Sequence, residues 1–205
     1  MVDETNQGDL EGELDGAVIL GVADHSGVDA APGKVERFTG WRTPRQLWEP
    51  LDQAVGGFAV DAAADADNHL VADWFGPGSP IGEDALSIDE WPNPAWCNPP
   101  YGRGLTKWLD KFNQQASLGV NIIALLPAYV ERKWWHEKII IPGADVIFLV
   151  GRVAFEKPGS LVRSQPRDPS ALVIYGPTSA GRVGWLDWRK REVASDESGD
   201  RDSQS

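Results

Sequence analysis

The stretch Trp96–Leu126, WCNPPYGRGLTKWLDKFNQQASLGVNIIALL, indicates the fold class of this 205-residue chain. Val120–Leu126 is an apolar run of strand length, as expected for a strand that is buried on both faces of a parallel sheet. The part before it has the spacing of an amphipathic helix, with apolar residues at Leu105, Trp108, Leu109, Phe112 and Ala116.

Upstream of this stretch, the sequence predicts a helix and a short strand. Thr43 precedes Pro44 and has Gln46 three residues further on, which predicts a helix start with Thr43 as the N-cap. Pro50 is expected to kink or shorten this helix, because proline cannot donate the helical hydrogen bond. Phe58–Asp61 follows two glycines and is predicted to be a short strand.

Downstream, the sequence predicts one more helix and two more strands. The helix is expected over Val130–Ile141, where Pro142 ends it, and the strands over Val146–Val150 and Ala171–Tyr175. Strands that alternate with helices predict an α/β domain with a largely parallel sheet. In such sheets ligands bind beyond the carboxyl ends of the strands, so functional residues are expected just after each strand.

The acidic residues are concentrated at the two ends of the chain. Residues 1–36 carry nine acidic side chains and one lysine, and residues 191–205 carry five acidic side chains and two arginines. Residues 37–190 are close to neutral, with 17 acidic and 16 basic side chains. We therefore predict a mostly disordered leader over 1–36, one folded domain over 37–190 and a disordered tail over 191–205. A near-neutral domain can still present a basic face to a phosphate backbone.

Composition argues against several classes of protein. Cys97 is the only cysteine, so neither an internal disulfide nor a cysteine metal cluster can form. The three histidines are scattered, and no metal site is predicted. No apolar run is long enough to span a bilayer and no signal peptide is visible, so a cytoplasmic protein is expected.

The motif Asn98-Pro99-Pro100-Tyr101 follows a short hydrophobic segment and precedes the predicted helix. Its two prolines hold the backbone extended and offer carbonyl groups without competing N–H donors. The Asn98 side chain and the Pro99 carbonyl can accept the two hydrogens of an exocyclic amine, while Tyr101 stacks on the heterocycle. An amine held in this way can attack an electrophilic methyl group. A base inside a duplex reaches such a pocket only when it is flipped out.

The sequence around this motif resembles the phage-type DNA N6-adenine methyltransferase (Dam) family. This resemblance implies a Rossmann-like methyltransferase fold, S-adenosylmethionine as cofactor, and methylation of adenine N6 in DNA. It also implies that Asn98, Pro99, Pro100 and Tyr101 are the catalytic residues. The similar segments occur in order at Thr43-Pro44, Phe58 to Asp65, Asn68, Asp84-Ala85-Leu86, Trp91, Trp96 to Tyr101, Leu125 to Ala128, Trp134-Trp135-His136, Gly151-Arg152 and Ala171–Tyr175.

The resemblance also implies where the cofactor binds. Asp61 and Ala63 are the first candidates and Asp65 a weaker one, while Asp84 would contact the adenine end of the cofactor and Thr43 its methionine end. Two alternatives stay open, since Thr43 can be only a helix cap and Asp65 only a solvated loop residue. Only 22 residues separate Asp61 from Asp84. The fold is therefore expected to be abbreviated there, with loops in place of at least one helix.

Basic residues near the motif are the candidates for binding DNA. Arg103, Lys107 and Lys111 are spaced four apart, which predicts one basic stripe beside the pocket, and Arg152 is a further candidate. A solvated helix face is the alternative for each of them. The polar segment Lys157–Asp168 is predicted to be a loop, which could enter a groove of the DNA.

Two other functions are compatible with the same motif. One is an amine methyltransferase that acts on RNA or on a protein glutamine, and the other is a DNA-binding relative that has lost catalysis. The glutamine enzymes resemble this chain less upstream of the motif, where they have a Gly-rich cofactor loop. The sequence predicts neither the DNA recognition site nor the oligomeric state.

Overall fold

The computed structural model describes residues 42–156 and 168–189. The predicted leader, the predicted tail and residues 157–167 of the predicted loop lie outside these ranges. The helices are α1 (Arg45–Val55), α2 (Leu105–Ser117) and α3 (Lys133–Trp135), which continues as a π-helix over His136–Ile140, and Ala85–Ser87 forms a 3-10 turn. The strands are β1 (Val60–Asp61), β2 (Ala95–Cys97), β3 (Ile122–Pro127), β4 (Asp145–Leu149), β5 (Ser170–Tyr175) and β6 (Val183–Leu186).

The six strands form one sheet in the order β1-β2-β3-β5-β4-β6. β1, β2 and β3 are parallel, β6 is parallel to β4, and β5 is antiparallel to both of its neighbours. The α/β prediction is confirmed, and the arrangement is consistent with a Rossmann-like methyltransferase fold. The described sheet is largely parallel, as predicted, and β5 is the exception among its six strands. A parallel neighbour needs a crossover, usually a helix, and the described part of the connection from β4 to β5 contains none.

The core lies on both faces of the sheet, and the alternation of side chains along the strands divides it. On one face Ala124 of β3 packs with Leu109 and Phe112 of α2. On the other face Trp96 of β2 packs with Trp48 of α1 and with Phe58. All six residues of β3 are buried, so its prediction as a strand covered on both faces is confirmed.

Helix α1 differs from its prediction at its start. Pro44, not Thr43, is the N-cap, and no side chain caps the helix, so the capping box with Gln46 does not form. The helix also continues past Pro50 to Val55. Pro50 and Gln46 both lie on the exposed face, where water can bond to the carbonyl that proline leaves unpaired.

Other elements match their predictions to different degrees. Strand β1 is shorter than Phe58–Asp61, and the helix predicted over Val130–Ile141 begins only at Lys133, after a turn in which Arg132 N–H bonds to the Tyr129 carbonyl at 3.0 Å. The sequence analysis missed β6, because its residues are mostly exposed and lack an alternating apolar pattern. None of the helices in the two described ranges is long and apolar enough to cross a membrane.

The connection between β1 and the 3-10 turn is abbreviated, as predicted. The structure describes this connection completely, and it consists of loops with one bridge between Asp61 and Trp74. Gly76 is required inside it, because a Cβ there would lie 1.8 Å from the carbonyl oxygen of Ala64. The chain after Asp61 therefore folds back closely on itself.

Candidate active site

The predicted site residues meet at the edge of the sheet where the parallel strands end. Asp61, the last residue of β1, is paired in register with Trp96 of β2, two residues before Asn98. Because neighbouring parallel strands end at the same edge, Asp61 and the Asn98 motif lie at one rim. The end of β3 at Pro127 and the start of β5 at Ser170 lie opposite each other at the same rim.

Asn98 is half-buried just beyond β2, and its side chain is held on one side only. Its Nδ2 donates to the Thr43 hydroxyl oxygen at 3.3 Å. Within residues 42–156 and 168–189, no donor bonds to its Oδ1. The next residue, Pro99, is buried, while Pro100 is exposed. As far as the described residues show, Asn98 therefore keeps one acceptor oxygen available for a ligand, and the buried proline fixes the backbone beside it.

Tyr101 is anchored by its hydroxyl and leaves its ring accessible. The hydroxyl donates to the Leu125 carbonyl at 3.1 Å. β2 ends at Cys97, which pairs with Ala124 of β3. Leu125 is therefore the first residue of β3 that has no β2 residue beside it. Burial of the hydroxyl raises the pKa of Tyr101 well above its usual value, so the group stays a neutral donor. Tyr101 is nevertheless 39% exposed. Its ring packs edge-on against Phe155, with the two ring centroids 6.4 Å apart.

Asp61 is a buried carboxylate at the end of β1. It accepts hydrogen bonds from Leu70 N–H at 3.1 Å and from Ala63 N–H at 3.4 Å. Burial raises its pKa from 3.8 to about 6, and the two hydrogen bonds offset only part of that effect. No side chain in the described part of the chain forms an ion pair with it. The environment of this carboxylate therefore favours a cationic ligand.

The other cofactor candidates have local structural roles. Asp65 Oδ1 accepts from Asp67 N–H at 2.9 Å within the loop after β1. Asp84 Oδ1 accepts from Leu86 N–H at 3.0 Å and caps the 3-10 turn. Ala63 is half-buried beside Asp61, to which its N–H donates. Each carboxylate uses one oxygen for a turn and keeps a second for other contacts, so these bonds are compatible with a binding role.

The predicted basic stripe is wrong at Lys111. Its side chain is only 7% exposed, and its ammonium group donates to the Ile88 carbonyl. Gln115, one turn further along α2, donates to the Asp89 carbonyl at 2.6 Å and accepts from Trp91 N–H at 2.8 Å. Lys111 and Gln115 therefore hold the segment that leads into β2. A four-residue spacing places side chains on one face of a helix but does not tell which of them a loop covers.

The remaining basic candidates are exposed. Lys107 lies on α2, whereas Arg103 precedes the N-cap Gly104 and is not part of the helix. Arg152 follows β4, which ends at the same rim as β3 because both are antiparallel to β5.

Two contacts at this rim were missed by the sequence analysis. Tyr129, just after β3, hydrogen-bonds to the Asp168 carboxylate, and burial together with this bond raises the pKa of Tyr129. Arg42 donates its guanidinium to the Asp67 carbonyl, and its backbone pairs with Glu156 through bonds of 2.9 and 3.0 Å. The position of Tyr129 right after a strand was the available signal for the first contact. No local pattern indicates the second.

A comparison with known families agrees with this geometry. The sequence profile described as DNA N-6-adenine-methyltransferase (Dam) matches residues 33–194, which include every described residue. Among curated proteins, none matches the chain. The profile covers well over half of the sequence, and the resemblance predicted from the Asn98 motif is confirmed: the chain belongs to the DNA N-6-adenine-methyltransferase (Dam) family.

Proposed function

We propose that this protein transfers a methyl group from S-adenosylmethionine to the N6 amine of an adenine that is flipped out of duplex DNA. The observation that carries the proposal is the half-satisfied amide of Asn98. Its nitrogen is bonded to Thr43, and its oxygen, at the rim where β1 and β2 end, has no donor among the residues that the structure describes. The family supplies the reaction class, and this geometry supports Asn98 as the group that receives the amine.

In this proposal Asn98 and Pro99 orient the amine. Asn98 Oδ1 accepts one hydrogen of the N6 amine and the Pro99 carbonyl accepts the other, which directs the nitrogen lone pair toward the methyl donor. Tyr101, held through Leu125, stacks on the adenine ring. No strong base is required, because the nitrogen loses its proton after the methyl group has been transferred.

The cofactor side of the proposal rests on Asp61. When bound, S-adenosylmethionine supplies an electrophilic methyl group. The buried Asp61 carboxylate would interact with a positive group of the cofactor, and the small Ala63 would allow a close approach to the backbone. Asp65 and Asp84 complete the proposed cofactor-binding set.

The proposed partner is duplex DNA, which the exposed cations Arg103, Lys107 and Arg152 would contact through its phosphates. A planar base enters the pocket only after it leaves the stack, so flipping follows from the position of the Asn98 motif at the rim. The proposed site of action is the cytoplasm.

Expression of the full chain in a host that lacks DNA methylation tests the function. Plasmid recovered from this host is digested with a panel of restriction enzymes that are blocked by, or depend on, adenine methylation. We expect protection at a subset of adenine-containing sites, and no protection with the Asn98→Ala variant. Unmodified plasmid, together with methylated RNA or glutamine in the same cells, would instead support another amine methyltransferase. Unmodified plasmid with no other methylated product, but with retained DNA binding, would support an inactive relative.

Tyr101→Phe should lower stability more than activity. The Leu125 carbonyl loses its donor, which costs on the order of 1–2 kcal/mol, whereas the ring that stacks on the base remains. Urea denaturation and a methylation assay measure the two effects. Tyr175→Phe is the matched control, because that hydroxyl donates to the Lys138 carbonyl at a longer 3.4 Å. A Tyr101→Phe variant with normal stability and strongly reduced methylation would mean that the hydroxyl contacts the substrate.

Lys107→Ala and Lys111→Ala should have different effects, although the two residues are one helical turn apart. Lys107 is exposed, so its loss should weaken DNA binding and reduce the salt slope of log Kd by about 1. Lys111 holds the Ile88 carbonyl, so its loss should lower stability and leave the salt slope unchanged. Fluorescence anisotropy with a DNA duplex at several salt concentrations and thermal melting distinguish the two. Equal loss of salt slope in both variants would contradict this assignment.

A further inference from the structure

Arg42 and Pro44 flank Thr43 just before α1, and both are held by contacts with other residues. Arg42 pairs through its backbone with Glu156, and its guanidinium donates to the carbonyl of Asp67 in the loop after β1. Pro44 is buried and accepts the first helical hydrogen bonds of α1, from Leu47 and Trp48 N–H. The backbone of Thr43 is thus fixed on both sides, so its side chain has a defined position at the rim.

Thr43 uses this position to contact Asn98. The residue is only 5% exposed, and its hydroxyl oxygen accepts from Asn98 Nδ2 at 3.3 Å, across 55 residues of sequence. The hydroxyl does not cap α1, since that helix has no side-chain cap. The role left open for Thr43 as a helix cap is therefore wrong, and its observed partner is the amide of the proposed catalytic loop.

The orientation of this amide matters for the reaction. An asparagine side chain has a donor end and an acceptor end, and only the acceptor end can receive a hydrogen from the adenine amine. If the amide were rotated by half a turn, its NH2 group would face the NH2 group of the base, and neither could accept. In this structure the Thr43 hydroxyl accepts from Nδ2, which leaves Oδ1 as the end of the amide that faces the substrate.

We propose that Thr43 is a positioning residue that holds the Asn98 amide with its oxygen toward the adenine amine. The inference rests on the proposed function and deepens it. It differs from the cofactor-binding role implied for Thr43, because Thr43 here acts through Asn98 and affects the rate of methyl transfer at saturating cofactor.

Thr43→Val and Thr43→Ser test the proposal in the full chain. Valine keeps the volume and removes the acceptor, whereas serine keeps the hydroxyl. We expect Thr43→Val to lower kcat by about tenfold, the effect of one lost hydrogen bond, and to leave the Kd of S-adenosylmethionine, measured by calorimetry, within about twofold of wild type. Thr43→Ser should retain most of the rate. Thermal melting verifies that each variant folds. If the Thr43→Val variant does not fold, Thr43→Ala is used in its place.

A double variant separates positioning from a general structural effect. When Asn98 is already alanine, Thr43→Val should change the residual rate little, because the two residues act as a unit. An active wild type with an unaffected Thr43→Val rate, or with a raised cofactor Kd and normal kcat, would overturn this inference alone. A wild-type protein that methylates no adenine would remove the proposed function, and this inference with it.

Discussion

Methylation by the Asn98→Ala variant should be about 10²- to 10³-fold slower than by the wild type, the range seen when one preorganised polar contact to a reacting group is removed. The variant loses the oxygen that would accept a hydrogen of the adenine amine. The fold should persist, because the half-buried side chain makes one hydrogen bond, to Thr43. Transfer of labelled methyl groups at saturating DNA and cofactor measures the rate, and thermal melting verifies the fold.

Asn121→Ala is a matched control for this loss. Asn121 is an exposed asparagine next to the start of β3, at the opposite end of the strand from the proposed site, and its amide bonds to the Asn93 side chain at 3.2 Å. We expect it to retain the wild-type rate. Full activity in Asn98→Ala would remove Asn98 from the mechanism, and an equal loss in both variants would indicate a general effect on the fold.

Asp61→Asn should weaken cofactor binding and change how stability depends on pH. The loss of a charged hydrogen-bonding partner for the cofactor is worth about 1.5–3 kcal/mol, so Kd should rise by about 10- to 100-fold. Calorimetry with S-adenosylmethionine at pH 7.5 measures this change. Because Asp61 is not part of the amine-holding motif, kcat at saturating cofactor should fall much less than it does in Asn98→Ala.

The pH dependence follows from the raised pKa of Asp61. Folding raises the pKa from 3.8 to about 6, so the folded state prefers the protonated carboxyl. The stability associated with that proton is present below about pH 4 and is lost as pH rises through 6, and it amounts to about 3 kcal/mol. The difference in unfolding free energy between wild type and Asp61→Asn, measured by urea denaturation from pH 4 to 8, should follow this curve.

Asp145→Asn is the control of opposite sign. Hydrogen bonding from Arg182 lowers the pKa of Asp145 to about 2, so this carboxylate stabilises the fold above its ordinary pKa. Asp145→Asn should therefore destabilise the protein at neutral pH. At the same pH, Asp61→Asn removes the free-energy cost of burying a charged carboxylate. Parallel stability curves for wild type and Asp61→Asn would show that Asp61 does not titrate in this range.

Much of the fold could be predicted because its signals are local. The buried run that contains β3 and the helical spacing of α2 follow from the periodicity of neighbouring residues. The direction of β5 could not be predicted, since it depends on how the chain returns between β3 and β4. A strand has the same pattern in either direction.

The candidate site was predictable where one segment carries it. Asp61 ends a predicted strand and the Asn98 motif follows a short hydrophobic segment, and the structure brings both to the same rim. The burial of Lys111 and the contact between Thr43 and Asn98 could not be predicted, because each joins segments far apart in sequence. Such contacts depend on the packing of loops and leave no periodic signal.

The central claim is that Asn98 holds an adenine amine for methyl transfer. Its most direct test is mass spectrometry of nucleosides from duplex DNA that has been incubated with S-adenosylmethionine and either the wild type or Asn98→Ala. The proposed mechanism predicts N6-methyldeoxyadenosine with the wild type and a decrease of about 10²- to 10³-fold with the variant. Equal amounts of N6-methyldeoxyadenosine from both proteins, or a methyl group on another base, would contradict it.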